Sequence, residues 1–263
     1  LQYKLVVLDM DGTLLDNSHN VSKANTAVIR RMKRGGTSVV LASGRPYESI
    51  YPYVKHLGIN SPIIAANGAL IKNPLSSEIH YSSGLPNNLA SEIIEYGQKN
   101  KYPISLYFDG EVHTFNENMV KVHWELEKIN ARLTNKVESE KDLYKIIFAS
   151  TPQKIEETFK YLERKYKEKL YITRSDDIYL DVMNINVSKG KALEQIIDML
   201  QISSQEVLVM GNSFNDVAMF EVAGFSIAMD NSPQEVKDAA DFVTKSNNDD
   251  GVAYALDRFV DIG

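Results

Sequence analysis

Residues 5–16 read LVVLDMDGTLLD: four apolar residues that stop at Asp9, a second carboxylate at Asp11, then Gly12 and Thr13. A continuous apolar run of this length suits a strand buried on both faces, as in a parallel sheet. Two carboxylates so close repel each other unless a cation, a proton or hydrogen bonds offset them. The stretch is therefore either a turn that caps a helix or a place built to hold a metal.

The residues on either side favour a repeating strand–helix plan. SKANTAVIRRMKRGG (22–36) has Ser22 as an N-cap and Gly35-Gly36 as a stop, with Ala24, Ala27, Val28 and Met32 on one helical face. TSVVLAS (37–43) is the next apolar run, which makes a right-handed parallel βαβ unit. The far end of the chain repeats the plan. SKGKALEQIIDML (188–200) is helical, EVLVMGN (206–212) is a buried strand, NDVAMFEVA (215–223) is helical, FSIAM (225–229) is a short strand, and PQEVKDAA (233–240) opens a helix on proline.

The middle differs. From Pro86 to Asn184 the pattern reads helix, strand, strand, helix, strand, helix, strand, strand, with a turn at Asp109-Gly110. Paired strands joined by short turns predict an antiparallel sheet with helices on one face. SSGLPNN (82–88) and NINVS (184–188) are polar and turn-rich, and the linkers 81–86 and 184–188 suit a hinge. The expected architecture is α/β: a Rossmann-like open parallel sheet core from residues 1–83 and 187–263, carrying an inserted α+β cap domain at 84–186.

Composition narrows the function. The chain has 263 residues, 43% of them hydrophobic, enough to bury a core. A formal net charge of -6 argues against general affinity for nucleic acid or anionic membranes. With no cysteine there are no thiolate ligands or nucleophiles, which fits a reducing compartment. No apolar run reaches the roughly 20 residues that span a bilayer. A cytoplasmic protein is expected, with no prediction of oligomeric state.

Three buried-looking strands end on Asp9, Ser43 and Asn212, and PIIAANG ends at Asn67-Gly68. In an open parallel sheet such ends share the carboxyl edge, where ligands bind. Asp9 and Asp11 offer hard oxygens to Mg²⁺, and an aspartate can attack phosphorus. Ser43 and Gly44, before Arg45-Pro46 and a helix, form an anion site. Lys189 sits at another helix start, and Asn212, Asn215 and Asp216 surround a third strand-to-helix turn. Arg45 could reach a second anionic group. Tyr107, His113, His123 and Trp124 of the insert are weaker candidates, since such residues more often belong to core or surface.

At these residues the chain resembles the haloacid dehalogenase (HAD) superfamily, and within it the Cof-type phosphatases with a large α/β cap. DMDGTLLD, LASGRP, VSKGKAL and GNSFNDVAMF resemble its four motifs in order. The resemblance implies that Asp9 is the nucleophile that becomes phosphorylated and that Asp11 is the acid and then the base. It implies that Ser43, Gly44, Lys189 and Asn215 hold the phosphoryl group, and that Mg²⁺ binds Asp9, the Asp11 carbonyl, Asn212 and Asp216. The substrate implied is a small phosphorylated metabolite of the sugar-phosphate type. A phosphomutase, or a binding protein with a weakened site, is the alternative. The family usually has aspartate where this chain has Asn212, which favours the second alternative.

Overall fold

The computed structural model describes residues 3–137 and 141–260. The strand at the centre, β1 (Leu5–Leu8), is fully buried. After it come α1 (Lys23–Arg34), β2 (Ser38–Leu41), α2 (Tyr47–Leu57) and β3 (Ile63–Ala65), then β4 (Leu70–Lys72) and β5 (Ile79–Ser82). The insert supplies α3 (Asn87–Lys99), β6 (Ile104–Phe108), β7 (Glu111–Thr114), α4 (Glu117–Glu127) and β8 (Arg132–Leu133). It continues with β9 (Leu143–Ala149), α5 (Pro152–Tyr166), β10 (Leu170–Asp176) and β11 (Tyr179–Asn184). The chain closes with α6 (Lys189–Leu200), β12 (Val207–Gly211), α7 (Val217–Phe220), β13 (Phe225–Ala228), α8 (Gln234–Asp238), β14 (Phe242–Val243) and α9 (Gly251–Phe259).

Both ends of the chain build one parallel sheet, in the order β14-β13-β12-β1-β2. Val6 and Leu8 of β1 face a cluster with α1, α2 and α9, while Leu5 and Val7 face α6, α7 and α8. Because successive side chains point to opposite faces, burial on both sides requires apolar residues at every position. Helix ends follow local chemistry. The Ser22 hydroxyl accepts the Asn25 N–H at 3.0 Å, and the Ser188 hydroxyl accepts the Lys191 N–H at 3.1 Å. These caps fix where α1 and α6 begin, and so where Lys189 stands.

β3 departs from expectation. It pairs antiparallel in a small β3-β4-β5 sheet and touches the parallel sheet through a single Ala42–Ile64 bridge. Its C-terminal turn still lands beside β2. There Ala66, Asn67 and Gly68 take φ values of 48°, 56° and 101° in succession. A Cβ at Gly68 would lie 2.3 Å from the Ser188 carbonyl oxygen, so the turn can pack against the α6 cap only with glycine there.

The insert forms a six-stranded sheet, β10-β11-β9-β6-β7-β8, antiparallel except where β8 joins β7. One face, with Leu106, Ile146, Phe148, Leu180 and Val182, packs on α3 and α5. The other presents Tyr107, Lys145, Ile147 and Asp181, the alternate residues of the same strands. Helices do not keep to one face: α4 crosses to this second side, where His123 Nε2 lies 2.8 Å from the Ser105 hydroxyl. The two chain crossings are tied by Asn184 Nδ2 donating to the Gly84 carbonyl at 2.8 Å.

Candidate active site

The carboxyl edge of the parallel sheet and the second face of the inserted sheet enclose a cavity of about 370 Å³. Asp9, Asp11, Ser43, Gly44, Arg45 and Asn215 line it from below, and Tyr107, His123, Glu127 and Lys145 from above. Met119, Val122, Leu126, Ile147 and Ile178 supply an apolar wall.

The opening pair of acids is resolved by two cations. Lys189 Nζ donates to Asp9 Oδ1 at 2.6 Å and to Asp216 Oδ1 at 2.6 Å. Burial, then the neighbouring Asp216, push the Asp9 carboxyl up to about 7, against the pull of Lys189. Burial would lower the Lys189 ammonium, but the Asp216 and Asp9 carboxylates hold it well above the usual lysine range. Asp11 is held by Arg45, with Nε to Oδ2 at 2.7 Å and Nη2 to Oδ1 at 2.6 Å. Burial alone would raise Asp11, yet the hydrogen bonds from Arg45 and His19 bring it well below the carboxylate range.

Two of the candidate residues already have partners. Arg45 is spent on Asp11 and on the Ser49 hydroxyl at 3.1 Å, so it offers no open fork to a second anion. Asp216 is buried, with one oxygen on Lys189 and the other accepting the Asn212 and Ser213 backbone N–H groups at 2.8 and 2.9 Å. Both its oxygens help build the turn and hold Lys189, so Asp216 would reach a metal only by sharing an oxygen with Lys189.

Asn212 lies where metal ligands are expected. One terminal atom of its amide approaches the Asp11 carbonyl oxygen at 2.7 Å, Asp9 Oδ2 at 3.0 Å and the Thr13 hydroxyl at 2.8 Å. With Oδ1 in that place, three oxygens converge, an arrangement that a hard cation would stabilise. With Nδ2 in that place, the amide donates to both acceptors instead. Among the described residues no cluster of three His, Asp or Glu side chains could hold a metal. With Oδ1 turned inward, the donor set is one carboxylate, one backbone carbonyl and one amide, all oxygens, and it fits a divalent cation. The approach depends on Gly12, at φ 76°, where a Cβ would come within 2.5 Å of Asn212 Nδ2.

Of the insert candidates, Tyr107 and His123 line the cavity, where the Tyr107 hydroxyl donates to Glu127 Oε1 at 2.9 Å and His123 Nδ1 lies 2.7 Å from Glu127 Oε2. His113 is buried elsewhere, against Glu111 at 2.9 Å, and Trp124 is 52% exposed outside the cavity. Glu127, Lys145 and Asp181 were not anticipated. A lone charge inside an apolar strand, as in YKIIF and YLDVM, is the signal that would have found the last two.

A family model described as haloacid dehalogenase-like hydrolase matches residues 6–256. A Haemophilus influenzae protein named "Putative phosphatase" is 31% identical over 260 residues, covering 98% of each chain. A Bacillus subtilis protein named 5-amino-6-(5-phospho-D-ribitylamino)uracil phosphatase is 28% identical, also over 98% of each chain. The crystal structure of a haloacid dehalogenase-like hydrolase from Bacteroides thetaiotaomicron is 30% identical. It superposes with a TM-score of 0.86 over 98% of this chain and 99% of the other. The order of motifs, the parallel sheet that gathers them and these likenesses agree: the chain belongs to the haloacid dehalogenase-like hydrolases, within their Cof-type phosphatase group.

Proposed function

We propose that this protein is a Mg²⁺-dependent phosphomonoesterase that hydrolyses a small phosphorylated metabolite of the sugar-phosphate type through an aspartyl phosphate on Asp9. The observation that carries this reading is the buried Asp9 carboxylate, 2.6 Å from Lys189 at the floor of a cavity that Asp11 also lines. An Asp9 oxygen attacks phosphorus, the bond from phosphorus to the leaving oxygen breaks, and Asp11 gives that oxygen a proton. Water then attacks the phosphorus of the aspartyl phosphate. Asp11 takes the water's proton, and the bond to the Asp9 oxygen breaks to release inorganic phosphate.

Ser43, the Gly44 N–H, Asn215 and Lys189 are read as the phosphate contacts, since they supply donors around Asp9 in the absence of a free guanidinium. Asp9, the Asp11 carbonyl and Asn212 would hold Mg²⁺, which when bound lets the carboxylates and a phosphate dianion share one site. For Asp11 to carry a proton, a substrate has to loosen at least one of its bonds to Arg45. Residues 84–186 are read as a cap whose second face shields the reaction from bulk water.

A cavity of about 370 Å³ suits a small molecule rather than a protein substrate. Its wall joins an apolar patch to the Glu127 carboxylate, a combination that receives a hydroxylated leaving group with one less polar face. The Bacillus subtilis relative, whose name specifies a phosphorylated ribitylamino compound, supports a substrate of that kind. Phosphate release from a panel of phosphomonoesters, with Mg²⁺ and with EDTA, tests the reading. Release from small monoesters that EDTA abolishes and Mg²⁺ restores is expected. No release from any monoester, or equal rates in EDTA, would overturn it.

A further inference from the structure

Asp181 and Lys145 form an ion pair in the interior, 0% and 2% exposed, with Lys145 Nζ 3.6 Å from Asp181 Oδ2. Such a pair adds little net stability, because desolvating two charges offsets their attraction, and well-packed apolar residues often serve as well. The reason for it therefore has to be sought in what the two groups touch. Asp181 Oδ2 accepts the Asn67 amide N–H at 2.6 Å, and Asn67 Oδ1 in turn accepts the Asn215 amide N–H at 3.0 Å. Lys145 Nζ donates to the Gly44 carbonyl at 2.6 Å. Both charged residues come from the inserted sheet, and both lines of contact end on groups at the parallel-sheet edge.

Asn67 is the junction. It is fully buried, in the left-handed region at φ 56°, directly after Ala66 at φ 48°. Left-handed non-glycine residues in sequence are costly and concentrate at functional sites. This turn is fixed by the Ala66 N–H on the Arg45 carbonyl at 2.9 Å and the Asn67 N–H on the Ser43 carbonyl at 3.0 Å. The Asn67 amide also touches Gly44, where a Cβ would lie 2.9 Å from Asn67 Oδ1.

The amide chain has a direction. A carboxylate only accepts, so Asp181 forces the Asn67 amide to turn Nδ2 toward it and Oδ1 toward Asn215. Oδ1 then selects the nitrogen of Asn215, and one of the two hydrogens on that nitrogen remains for an anion in the cavity that Asn215 lines. We propose that Asp181 and Asn67 are positioning residues that set the orientation of the Asn215 amide, while Lys145 pins the Gly44 loop, so that the inserted sheet orients the phosphate contacts of the parallel sheet. The inference rests on reading Asn215 and Gly44 as phosphate contacts.

Two measurements test it, one of them independent of turnover. In ¹⁵N-labelled protein, the Asn215 side-chain amide signals, assigned by their loss in Asn215→Ser, should move in Asp181→Asn, although the two residues do not touch. Unmoved signals would overturn the relay even if no substrate is ever found. With p-nitrophenyl phosphate and Mg²⁺, Asp181→Asn should lower kcat/KM by roughly tenfold or more. Asp181→Asn combined with Asn215→Ala should be no worse than Asn215→Ala alone, as expected of groups acting through one another. Multiplying losses would overturn the proposal. The Lys145→Met/Asp181→Leu double variant controls for folding: it should melt within a few degrees of wild type yet lose activity to a similar extent. Wild-type kcat/KM in that folded variant would also overturn the proposal. A wild-type protein inert toward every phosphomonoester would instead sink the functional reading, while the amide signals would still decide the relay.

Discussion

Arg45 grips Asp11 through two parallel hydrogen bonds, Nε to Oδ2 at 2.7 Å and Nη2 to Oδ1 at 2.6 Å. The acid proposed for leaving-group protonation thus rests as a carboxylate. Its folded-state pKa lies below its unfolded value, so its stabilising contribution is present above the ordinary aspartate pKa near ~3.9 and is lost as pH falls below it. Arg45→Met should therefore be less stable than wild type by about 1 kcal/mol at pH 7, a figure kept small because Asp11 reaches solvent through the cavity. The gap should shrink toward pH 3. Thermal melts across that range check it, and a gap that grows with acid would contradict the pairing.

Asp9 behaves in the opposite sense. Its folded-state pKa is raised to about 7, so the folded protein without metal takes up a proton there that the unfolded chain binds only near pH ~4. That contribution to stability is full below the unfolded pKa and is lost as pH rises to about 7. Asp9→Asn removes the ionisation and its repulsion with Asp216. In EDTA, Asp9→Asn should melt above wild type at pH 8, by the equivalent of about 1–3 kcal/mol, with less difference at pH 5. Equal melting curves at pH 8 would show that Lys189 alone offsets the charge.

Asn212 brings an uncharged amide to the place where Asp9 Oδ2 and the Asp11 carbonyl converge. Asp216 holds Lys189 with one oxygen and the Asn212 and Ser213 N–H groups with the other. Asn212→Asp should tighten Mg²⁺ binding, measured by calorimetry without substrate, by on the order of 1–3 kcal/mol, or roughly 5- to 150-fold. Weaker binding in the variant would mean that Asn212 serves through its amide N–H groups and that the assignment to the metal is wrong.

Gly68 carries a different kind of constraint. With φ at 101° and only 2.3 Å between the Ser188 oxygen and the place a Cβ would take, Gly68→Ala must displace either the Asn67 turn or the α6 cap. A loss of more than ~2 kcal/mol is expected, read as a drop of several degrees in melting temperature. A variant as stable as wild type would show that the turn relaxes freely.

What could be read from the sequence was whatever local rules decide. Burial on both faces wrote LVVL and VLVM as unbroken apolar runs, and their polar ends named Asp9 and Asn212. Ser43 and Lys189 followed from strand-to-helix turns. What could not be read was pairing over distance. Arg45 meets Asp11 across 34 positions, and Asn67 meets Asp181 across 114. The β3-β4-β5 sheet was missed because β3 and β4, of three residues each, carry almost no periodic signal. The position of α4, over the second face of the inserted sheet, depends on packing that the helix pattern does not encode.

The central claim, that Asp9 attacks phosphorus, is tested most directly by kcat of Asp9→Asn with an aryl phosphate at saturating Mg²⁺, on protein whose circular dichroism and melting confirm the fold. An amide is a poor nucleophile, so turnover should fall at least ~1,000-fold while the protein stays folded. More than a few per cent of wild-type turnover in the pure variant would contradict the account.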